Sequence, residues 1–178
     1  LMRGILETNR LLLRKFSVDD APFMLRLVNE PSWIEYIGDR NVRTLEDAQK
    51  YLLEGSIQSY HDHGFGFYNV CLRETGMPIG SVGFAKRPFL DHPDFGFAFL
   101  PEYTGQGYAL EMAVAAMAYA EEVLKLEKLV AITLPANRRS IQLLIKLGFR
   151  FEKTMMVEGD ELFLFGAELT FVHKDEED

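Results

Sequence analysis

The sequence contains a single cysteine, Cys71, within the apolar run from Phe67 to Leu72. One cysteine excludes an intramolecular disulfide and is typical of a protein in a reducing compartment, so we expect a cytoplasmic location. Because the flanking residues are apolar and include no histidine, the pattern favours a buried thiol over a nucleophile. The sequence also lacks an apolar stretch long enough to span a membrane, and we expect no membrane partner.

Positive charge is scarce as well, since 19 Lys and Arg residues stand against 27 Asp and Glu residues, giving a formal net charge of −8. Nucleic-acid binding requires basic surfaces that displace counterions from phosphates, so we expect no nucleic-acid partner. The acidic balance suits a cationic or amine ligand, although it is more often a feature of proteins that are merely soluble.

The length of 178 residues predicts one domain, which can bury roughly 70% of the surface of the unfolded chain. The sequence shows no internal repeat and no linker. We therefore assign residues 1–172 to a single domain and the charged residues 173–178 to a C-terminal tail.

The most informative segment is Pro101–Ala109, which stands between an apolar run ending at Leu100 and an alanine-rich run typical of a helix. The first turn of a helix carries backbone N–H groups without intrahelical partners, and the helix dipole adds positive charge there. Because Gly105 and Gly107 carry no Cβ, a phosphate can approach the main chain closely. The segment predicts that the backbone binds a phosphorylated cofactor.

Two other phosphate-binding motifs fit this segment poorly. A Walker loop requires Lys and then Ser or Thr after its last glycine, whereas Tyr108 and Ala109 follow Gly107. A dinucleotide fingerprint requires Gly or Ala at position 110, which is Leu110, and belongs in a βαβ unit.

The remaining patterns predict strands and helices around this segment. Capping boxes at 17–20 and 44–47 predict two early helices, the second with Leu45, Ala48, Leu52 and Ile57 on one face, and 30–41 is expected to be a loop. A helix is predicted to begin after Asn137 and end at Gly148. The predicted strands are Asn9–Phe16, Phe65–Leu72, Ile79–Phe84, Asp94–Leu100, Lys128–Leu134, Phe149–Val157 and Glu161–Phe171.

Three motifs, in this order, resemble those of the GNAT superfamily of acetyl-CoA-dependent N-acetyltransferases. They are Glu-Thr-x-Arg-Leu-x-Leu-Arg at 7–14, Pro-Glu-Tyr-x-Gly-x-Gly-Tyr-Ala at 101–109, and Asn-x-x-Ser-x-x-Leu-x-x-Lys-x-Gly-Phe at 137–149. The sequence looks most like the branch that acetylates protein N-termini, such as those of ribosomal proteins. Thr104 departs from the wider consensus, which has Gln or Arg there, so pyrophosphate binding would depend more on backbone N–H groups.

The resemblance implies an α/β (α+β) fold with a twisted, mostly antiparallel sheet of about seven strands and helices on both faces. The central parallel strands, Asp94–Leu100 and Lys128–Leu134, would splay apart to admit acetyl-CoA, and no metal ion is implied. Main-chain groups near Phe99 and Leu100 would bind the pantetheine arm. The pyrophosphate would be bound by backbone N–H groups of Thr104, Gly105, Gln106, Gly107, Tyr108 and Ala109.

Asn137 and Ser140 are the site residues that the resemblance implies on the last predicted helix. Asn137 would contact the pantetheine side of the cofactor, although a plain helix N-cap is an equal alternative. Ser140 lies one turn further on the same face and would protonate the leaving thiolate, with an ordinary surface serine as the alternative.

The general base is harder to assign. An amine with a pKa near 10.4 is neutral in only about one molecule in a thousand at neutral pH, whereas an α-amine near 7.7–8.0 is already partly neutral. Asp94 is the first candidate, directly or through water, because the family often has Glu there, and a solvated strand-end carboxylate is the alternative. His92, on a predicted loop, is a lesser candidate. Glu102 is expected on the turn's surface. Tyr108 and Tyr119 could donate protons, but aromatic packing is the expected role of both.

Trp33 and Tyr36, with Ile34 between them, would line the acceptor channel, although a lone Trp beside Pro31 is equally an ordinary packing anchor. The predicted function is transfer of an acetyl group from acetyl-CoA to a protein or peptide α-amine. The alternatives are a small-molecule amine such as a polyamine, an amino acid or an aminoglycoside, and a non-catalytic module that binds CoA or acyl-CoA. A monomer or a homodimer is expected.

Overall fold

The computed structural model describes residues 4–169, so the predicted tail and the end of the last predicted strand lie outside the described residues. One mixed sheet of eight strands, in the order β1-β2-β3-β4-β5-β6-β8-β7, forms the centre of the domain. The strands are β1 Leu6–Glu7, β2 Leu11–Lys15, β3 Phe67–Leu72, β4 Pro78–Ala85, β5 Asp94–Phe99, β6 Lys128–Thr133, β7 Arg150–Val157 and β8 Asp160–Glu168. The sheet has one strand more than expected, because β1 adds a short antiparallel pair to β2.

The helices connect the strands at both ends of the sheet. They are α1 Ala21–Leu27, α2 Pro31–Tyr36, α3 Leu45–Leu52, α4 Gln58–His63, α5 Tyr108–Glu122 and α6 Arg138–Lys146. A π-helical segment, Leu53–Ile57, joins α3 to α4.

The predicted loop at 30–41 is wrong for its first half, because α2 occupies Pro31–Tyr36. Pro31 is its first residue, where the fixed φ of proline suits a helix start and its missing N–H is not needed. The predicted apolar face of α3 is wrong at Leu45, which is 51% exposed at the first turn, whereas Ala48 and Leu52 are buried as expected.

The predicted helix ends are confirmed. Ser17 and Asp20 form one capping box, and Thr44 and Asp47 form another. Gly148 follows α6 with a φ of +94°, the left-handed conformation expected at that position. These local signals fixed where helices begin and end because each satisfies backbone groups that the helix leaves unpaired.

The two parallel strands splay as predicted. In the described chain, β5 and β6 share the single register pair Asp94 and Val130, and they separate beyond it towards their carboxyl ends. All other neighbouring strands of the sheet pair antiparallel. A cleft therefore opens between β5 and β6, with Asp94 at its closed end.

Helices cover both faces of the sheet over two apolar clusters. The main cluster includes Met112 and Ala116 of α5 and Leu144 of α6, packed on residues of β2 to β6 and of β8. The second cluster joins α1 and α3 through Met24 and Ala48, and Phe67 of β3 packs against it. The cleft between β5 and β6 lies in the sheet between these helical layers.

Candidate active site

The glycine turn connects β5 to α5 as predicted. A 3-10 turn at Pro101–Tyr103 leads out of β5, and α5 begins at Tyr108. Gly105 and Gly107 have φ values of +75° and +82°, in the left-handed region that glycine adopts without a steric penalty. The two glycines therefore let the chain turn tightly into the helix.

The backbone N–H groups of residues 105–110 donate no hydrogen bond to any other group of the described chain. A Cβ built on Gly105 would meet no atom within 4 Å, so this part of the turn faces open space. Consecutive free N–H donors at a helix start are the arrangement that phosphates bind. The donor set therefore fits a pyrophosphate.

Thr104 differs from the rest of the predicted phosphate-binding run. Its N–H and its hydroxyl both donate to the carbonyl oxygen of Pro101, at 3.2 and 2.8 Å. These groups close the preceding turn and are not free for a ligand. The available run of donors begins at Gly105.

One edge of β5 is free beside the cleft. Phe99 pairs with Gly80 of β4, and the Leu100 N–H donates to the Ile79 carbonyl oxygen at 2.9 Å, so the β4 side of the strand is occupied. The opposite edge has no strand partner beyond Asp94 within the described residues. A ligand with amide groups can pair with that edge as an added strand does.

Asn137 and Ser140 meet at the start of α6, on the other side of the cleft. The Asn137 Oδ1 atom accepts a hydrogen bond from the Ser140 N–H at 3.3 Å, so the side chain is an N-cap. The Asn137 amide nitrogen and the Ser140 hydroxyl make no hydrogen bond within residues 4–169. Both half-buried side chains therefore retain a donor that a ligand can use.

Asp94 is 3% exposed, so the alternative of a solvated strand-end carboxylate is wrong. Its Oδ2 atom accepts from Arg87 Nε at 2.7 Å. Its Oδ1 atom is buried and has no hydrogen-bond partner among the described residues. Burial raises the pKa of this carboxyl to about 6, against the opposing effects of Arg87 and of the nearby backbone N–H of Ile132. At neutral pH it is therefore mostly a carboxylate, which is the form that a base requires.

Trp33 of α2 packs on the face of the sheet to which Asp94 points. Asp94 and Gly96 point to one side because side chains alternate along a strand, and the Phe67 ring lies 2.8 Å from the position of a Cβ on Gly96. Phe67 packs against the second cluster, as does Trp33 of α2. The Trp33 Nε1 atom is buried without a hydrogen-bond partner in the described chain, and Tyr36 is half-buried. Trp33 and Phe67 therefore pack against one cluster on the face of the sheet that Asp94 shares.

The lesser candidates have structural partners. Glu102 lies on the turn's exposed surface, as expected, and pairs with Arg26 through both oxygens, at 2.6 and 2.7 Å. Tyr119 packs edge-on against Tyr68, also as expected. His92 lies in the loop before β5.

Further findings concern the thiol, possible metal ligands and membrane-spanning helices. The Cys71 thiol is fully buried, and its burial raises its pKa, which confirms the expected inert thiol. Among residues 4–169, no group of three or more His, Cys, Asp or Glu side chains could hold a metal ion. No helix in that range is long and apolar enough to cross a membrane.

Sequence reasoning missed Arg87 and the role of Arg10. Arg87 lies on a loop seven residues before Asp94, and no pattern in the sequence indicates that the two side chains pair. Arg10 belongs to the first motif and could have been singled out there. Its side chain crosses to the glycine turn and donates to the Gln106 carbonyl oxygen at 3.0 Å.

A splayed parallel strand pair, a turn with free N–H donors at a helix start and a buried carboxylate at the closed end of the cleft fit an acyltransferase that uses an acyl-CoA. Comparison with known families agrees. The family model described as "Acetyltransferase (GNAT) domain" matches residues 10–150, and the chain belongs to this family of N-acetyltransferases. The family uses acetyl-CoA and acetylates amines.

Similar proteins come from several bacteria. The uncharacterized N-acetyltransferases YnaD and YoaA of Bacillus subtilis are 29% and 28% identical, over 88% and 85% of this chain and 90% and 85% of theirs. The structure of an acetyltransferase from Agrobacterium tumefaciens superposes with a TM-score of 0.79 at 26% identity, covering 94% of this chain and 97% of that chain.

Two more distant structures share the fold. One is a ribosomal alpha-N-protein acetyltransferase in complex with coenzyme A, with a TM-score of 0.79 at 18% identity over 93% of this chain and 98% of that one. The other is a spermidine N-acetyltransferase from Vibrio cholerae in complex with CoA and spermine, with a TM-score of 0.76 at 19% identity over 91% and 97%.

Proposed function

We propose that this N-acetyltransferase acts on the α-amine of a protein or peptide N-terminus, with Asp94 as its general base. The observation that carries the proposal is the buried Asp94 carboxylate, which is paired with Arg87 on one oxygen and free on the other. It lies where β5 and β6 begin to separate, at the opposite end of β5 from the glycine turn. At about 3.3 Å per residue, the strand puts about 20 Å between them.

The cofactor would occupy the cleft between these two points. The free N–H groups from Gly105 to Ala109 would bind the pyrophosphate, and the free edge of β5 near Phe99 and Leu100 would pair with the pantetheine amides. The Asn137 amide would donate to the pantetheine from the opposite wall. Bound acetyl-CoA would supply the thioester carbonyl that the amine attacks.

Asp94 suits an α-amine better than a polyamine. Its pKa of about 6 makes it a weak base, already deprotonated at neutral pH. Transfer of a proton to it from an α-ammonium with a pKa near 8 is uphill by about 3 kcal/mol, whereas from an ammonium near 10.4 it is uphill by about 6 kcal/mol. A base this weak accelerates the acetylation of an α-amine far more readily than that of a polyamine.

The roles proposed for the individual side chains follow from where they lie around the cleft. The free Oδ1 atom of Asp94 would accept the proton, directly or through one water. The unpaired Ser140 hydroxyl would protonate the leaving thiolate. Trp33 and Tyr36 would line the acceptor channel, where the buried indole N–H of Trp33 can donate to a peptide carbonyl, a group that a polyamine lacks.

A polyamine is the second candidate acceptor, since one structural neighbour is a spermidine N-acetyltransferase. Its cationic chain would be attracted by the net charge of −8 and by exposed carboxylates such as Glu35. Asp39, on the same segment, is paired with Arg43 at 2.6 Å and contributes less net charge.

The acceptor is tested by turnover of acetyl-CoA with a matched panel. We would compare a peptide with a free α-amine, the same peptide with its N-terminus blocked and one lysine present, and spermidine. The proposal expects turnover with the first only. Turnover with spermidine alone would contradict the proposal and make a polyamine the acceptor.

Cofactor binding is tested separately by thermal unfolding with coenzyme A, acetyl-CoA or adenosine. A ligand at about 100 times its Kd adds about 2.7 kcal/mol of stability, which raises the midpoint by about 5–11 °C for a chain of this size. We expect that rise with coenzyme A and with acetyl-CoA, and not with adenosine. A rise without turnover on any amine of a broad panel would favour the non-catalytic binding module.

A further inference from the structure

Arg10 makes three contacts around the glycine turn, although it belongs to a distant part of the chain, just before β2. Its Nη1 atom donates to the carbonyl oxygen of Gln106 at 3.0 Å, and its Nε atom donates to Glu111 Oε1 at 2.7 Å. Its guanidinium lies 4.2 Å from the centre of the Tyr108 ring. Its Nη2 atom lies 3.3 Å from the position that a Cβ on Gly107 would take.

Glu111 fixes the position of this guanidinium. Its Oε2 atom accepts from the Thr8 hydroxyl at 2.5 Å and from the Arg10 N–H at 3.1 Å, while Oε1 accepts from the Arg10 side chain. Glu111 belongs to the first turn of α5, where a carboxylate also interacts favourably with the helix dipole. The start of β2 and the start of α5 are therefore joined by one side-chain network.

The hydrogen bond to Gln106 determines which way the next peptide N–H points. The Gln106 carbonyl and the Gly107 N–H belong to the same peptide plane, and every described peptide bond is trans. In a trans peptide these two groups point in opposite directions. Because Arg10 holds the carbonyl on the β2 side, the Gly107 N–H points away from β2, towards the side of the cleft.

The geometry points to Arg10 as a positioning residue for the cofactor pyrophosphate: it orients the Gly107 N–H by holding the Gln106 carbonyl. A left-handed glycine turn is otherwise free to flip this peptide, because glycine tolerates both backbone conformations. The two-pronged guanidinium binds Gln106 and Glu111 together, which a single ammonium cannot do. This inference rests on the proposed function, since it concerns the same acetyl-CoA site.

The test measures KM for acetyl-CoA and for S-acetylpantetheine, which lacks the pyrophosphate, together with the Kd of coenzyme A by calorimetry. We expect Arg10→Met to raise the Kd of coenzyme A and the KM of acetyl-CoA about 10-fold or more, the order of one charge-assisted hydrogen bond. The KM of S-acetylpantetheine should stay within about twofold. An equal loss with both donors would overturn the inference, because general damage to the fold affects both.

Arg26→Met is the matched control. Arg26 also pairs with the glycine turn, but through the Glu102 side chain and not through a peptide carbonyl. Arg26→Met removes one positive charge beside the same turn, as Arg10→Met does. If both variants lose the same coenzyme A affinity, the charge alone matters, and the inference is overturned. Arg10→Lys keeps the charge and serves if Arg10→Met fails to fold. Wild-type affinity in Arg10→Lys would likewise overturn it.

The failure of this inference differs from a failure of the proposed function. If the wild-type chain does not bind coenzyme A, the cofactor site itself is wrong. If the wild-type chain binds and Arg10→Met binds equally well, only the positioning role is wrong.

Discussion

Arg87 and Asp94 form an ion pair at 2.7 Å, in which Asp94 is almost fully buried and the Arg87 side chain is 32% exposed. The pair lies at the start of β5, where Asp94 is also the register partner of Val130. Arg87 binds one carboxylate oxygen, and the other is buried without a hydrogen-bond partner at normal distance in the described chain. The ionic state of the proposed base therefore depends on a residue from a loop that the sequence does not mark.

The first prediction concerns the pH dependence of kcat/KM for a peptide acceptor. Asp94 must be ionised, with a pKa of about 6, and it accepts the proton of the bound α-ammonium, whose pKa is near 8. On a logarithmic plot the rate should rise with a slope of one below about pH 6, stay level up to about pH 8, and fall above it as the ammonium is lost. Asp94→Asn should lower activity by about 10²–10⁴-fold and remove the lower break. A lower break that persists in Asp94→Asn would assign it to another group.

The second prediction concerns the same acidic break in the pH profile of kcat/KM. Arg87→Met removes the cation that favours the ionised form of Asp94, so the pKa of Asp94 should rise and the acidic break should move to higher pH. Arg87→Lys keeps the charge and should leave the break near the wild-type position. An unchanged profile in Arg87→Met would mean that the ion pair does not control the base.

Much of the fold was predictable because its signals are local. The capping pairs Ser17 with Asp20 and Thr44 with Asp47, and the glycine after α6, each fix a helix end through a few neighbouring residues. The short helix α2 was missed because six residues carry too little periodicity to separate a helix from a loop. The short strand β1 was missed for the same reason.

The candidate site was predictable where it is made of backbone and not where it depends on distant side chains. The glycine turn is contiguous in sequence, so its N–H donors could be located before the structure was known. Thr104 was placed in that run, but its N–H and hydroxyl bind the Pro101 carbonyl, which depends on the local turn geometry. The contacts of Arg87 with Asp94 and of Arg10 with Gln106 depend on the packing of separate segments, which spacing in one sequence does not reveal.

The third prediction tests the phosphate position directly. Gly107→Glu should abolish binding of coenzyme A, because a Cβ at this left-handed residue approaches Arg10 and the added carboxylate repels phosphate. Gly159→Glu is the matched control, since Gly159 also has a left-handed φ, +86°, with open space around it, in the exposed turn between β7 and β8. Thermal shift with coenzyme A is the measurement. An equal shift in wild type and Gly107→Glu would move the phosphate site elsewhere.

The fourth prediction separates the two roles of Asn137. Asn137→Ser keeps a good N-cap but loses the amide donor, whereas Asn137→Ala loses both. Without ligand, the unfolding midpoint should fall in Asn137→Ala, for a loss of about 1 kcal/mol, and stay near wild type in Asn137→Ser. The Kd of coenzyme A should rise several-fold in both. Wild-type affinity in Asn137→Ser would leave Asn137 with the capping role alone.

The fifth prediction concerns Ser140. Its backbone N–H donates to the Asn137 side chain, while its hydroxyl has no hydrogen-bond partner within the described chain. Ser140→Ala keeps the cap, because only the side chain changes, and should lower kcat while leaving the Kd of coenzyme A nearly unchanged. The loss should be smaller with an acetyl donor whose thiol is more acidic, such as an acetylated aromatic thiol, because such a leaving group needs less protonation. An equal loss of kcat with both donors, when chemistry limits the rate, would remove Ser140 from the proton-donor role. The hydroxyl would then act through its position in the cleft.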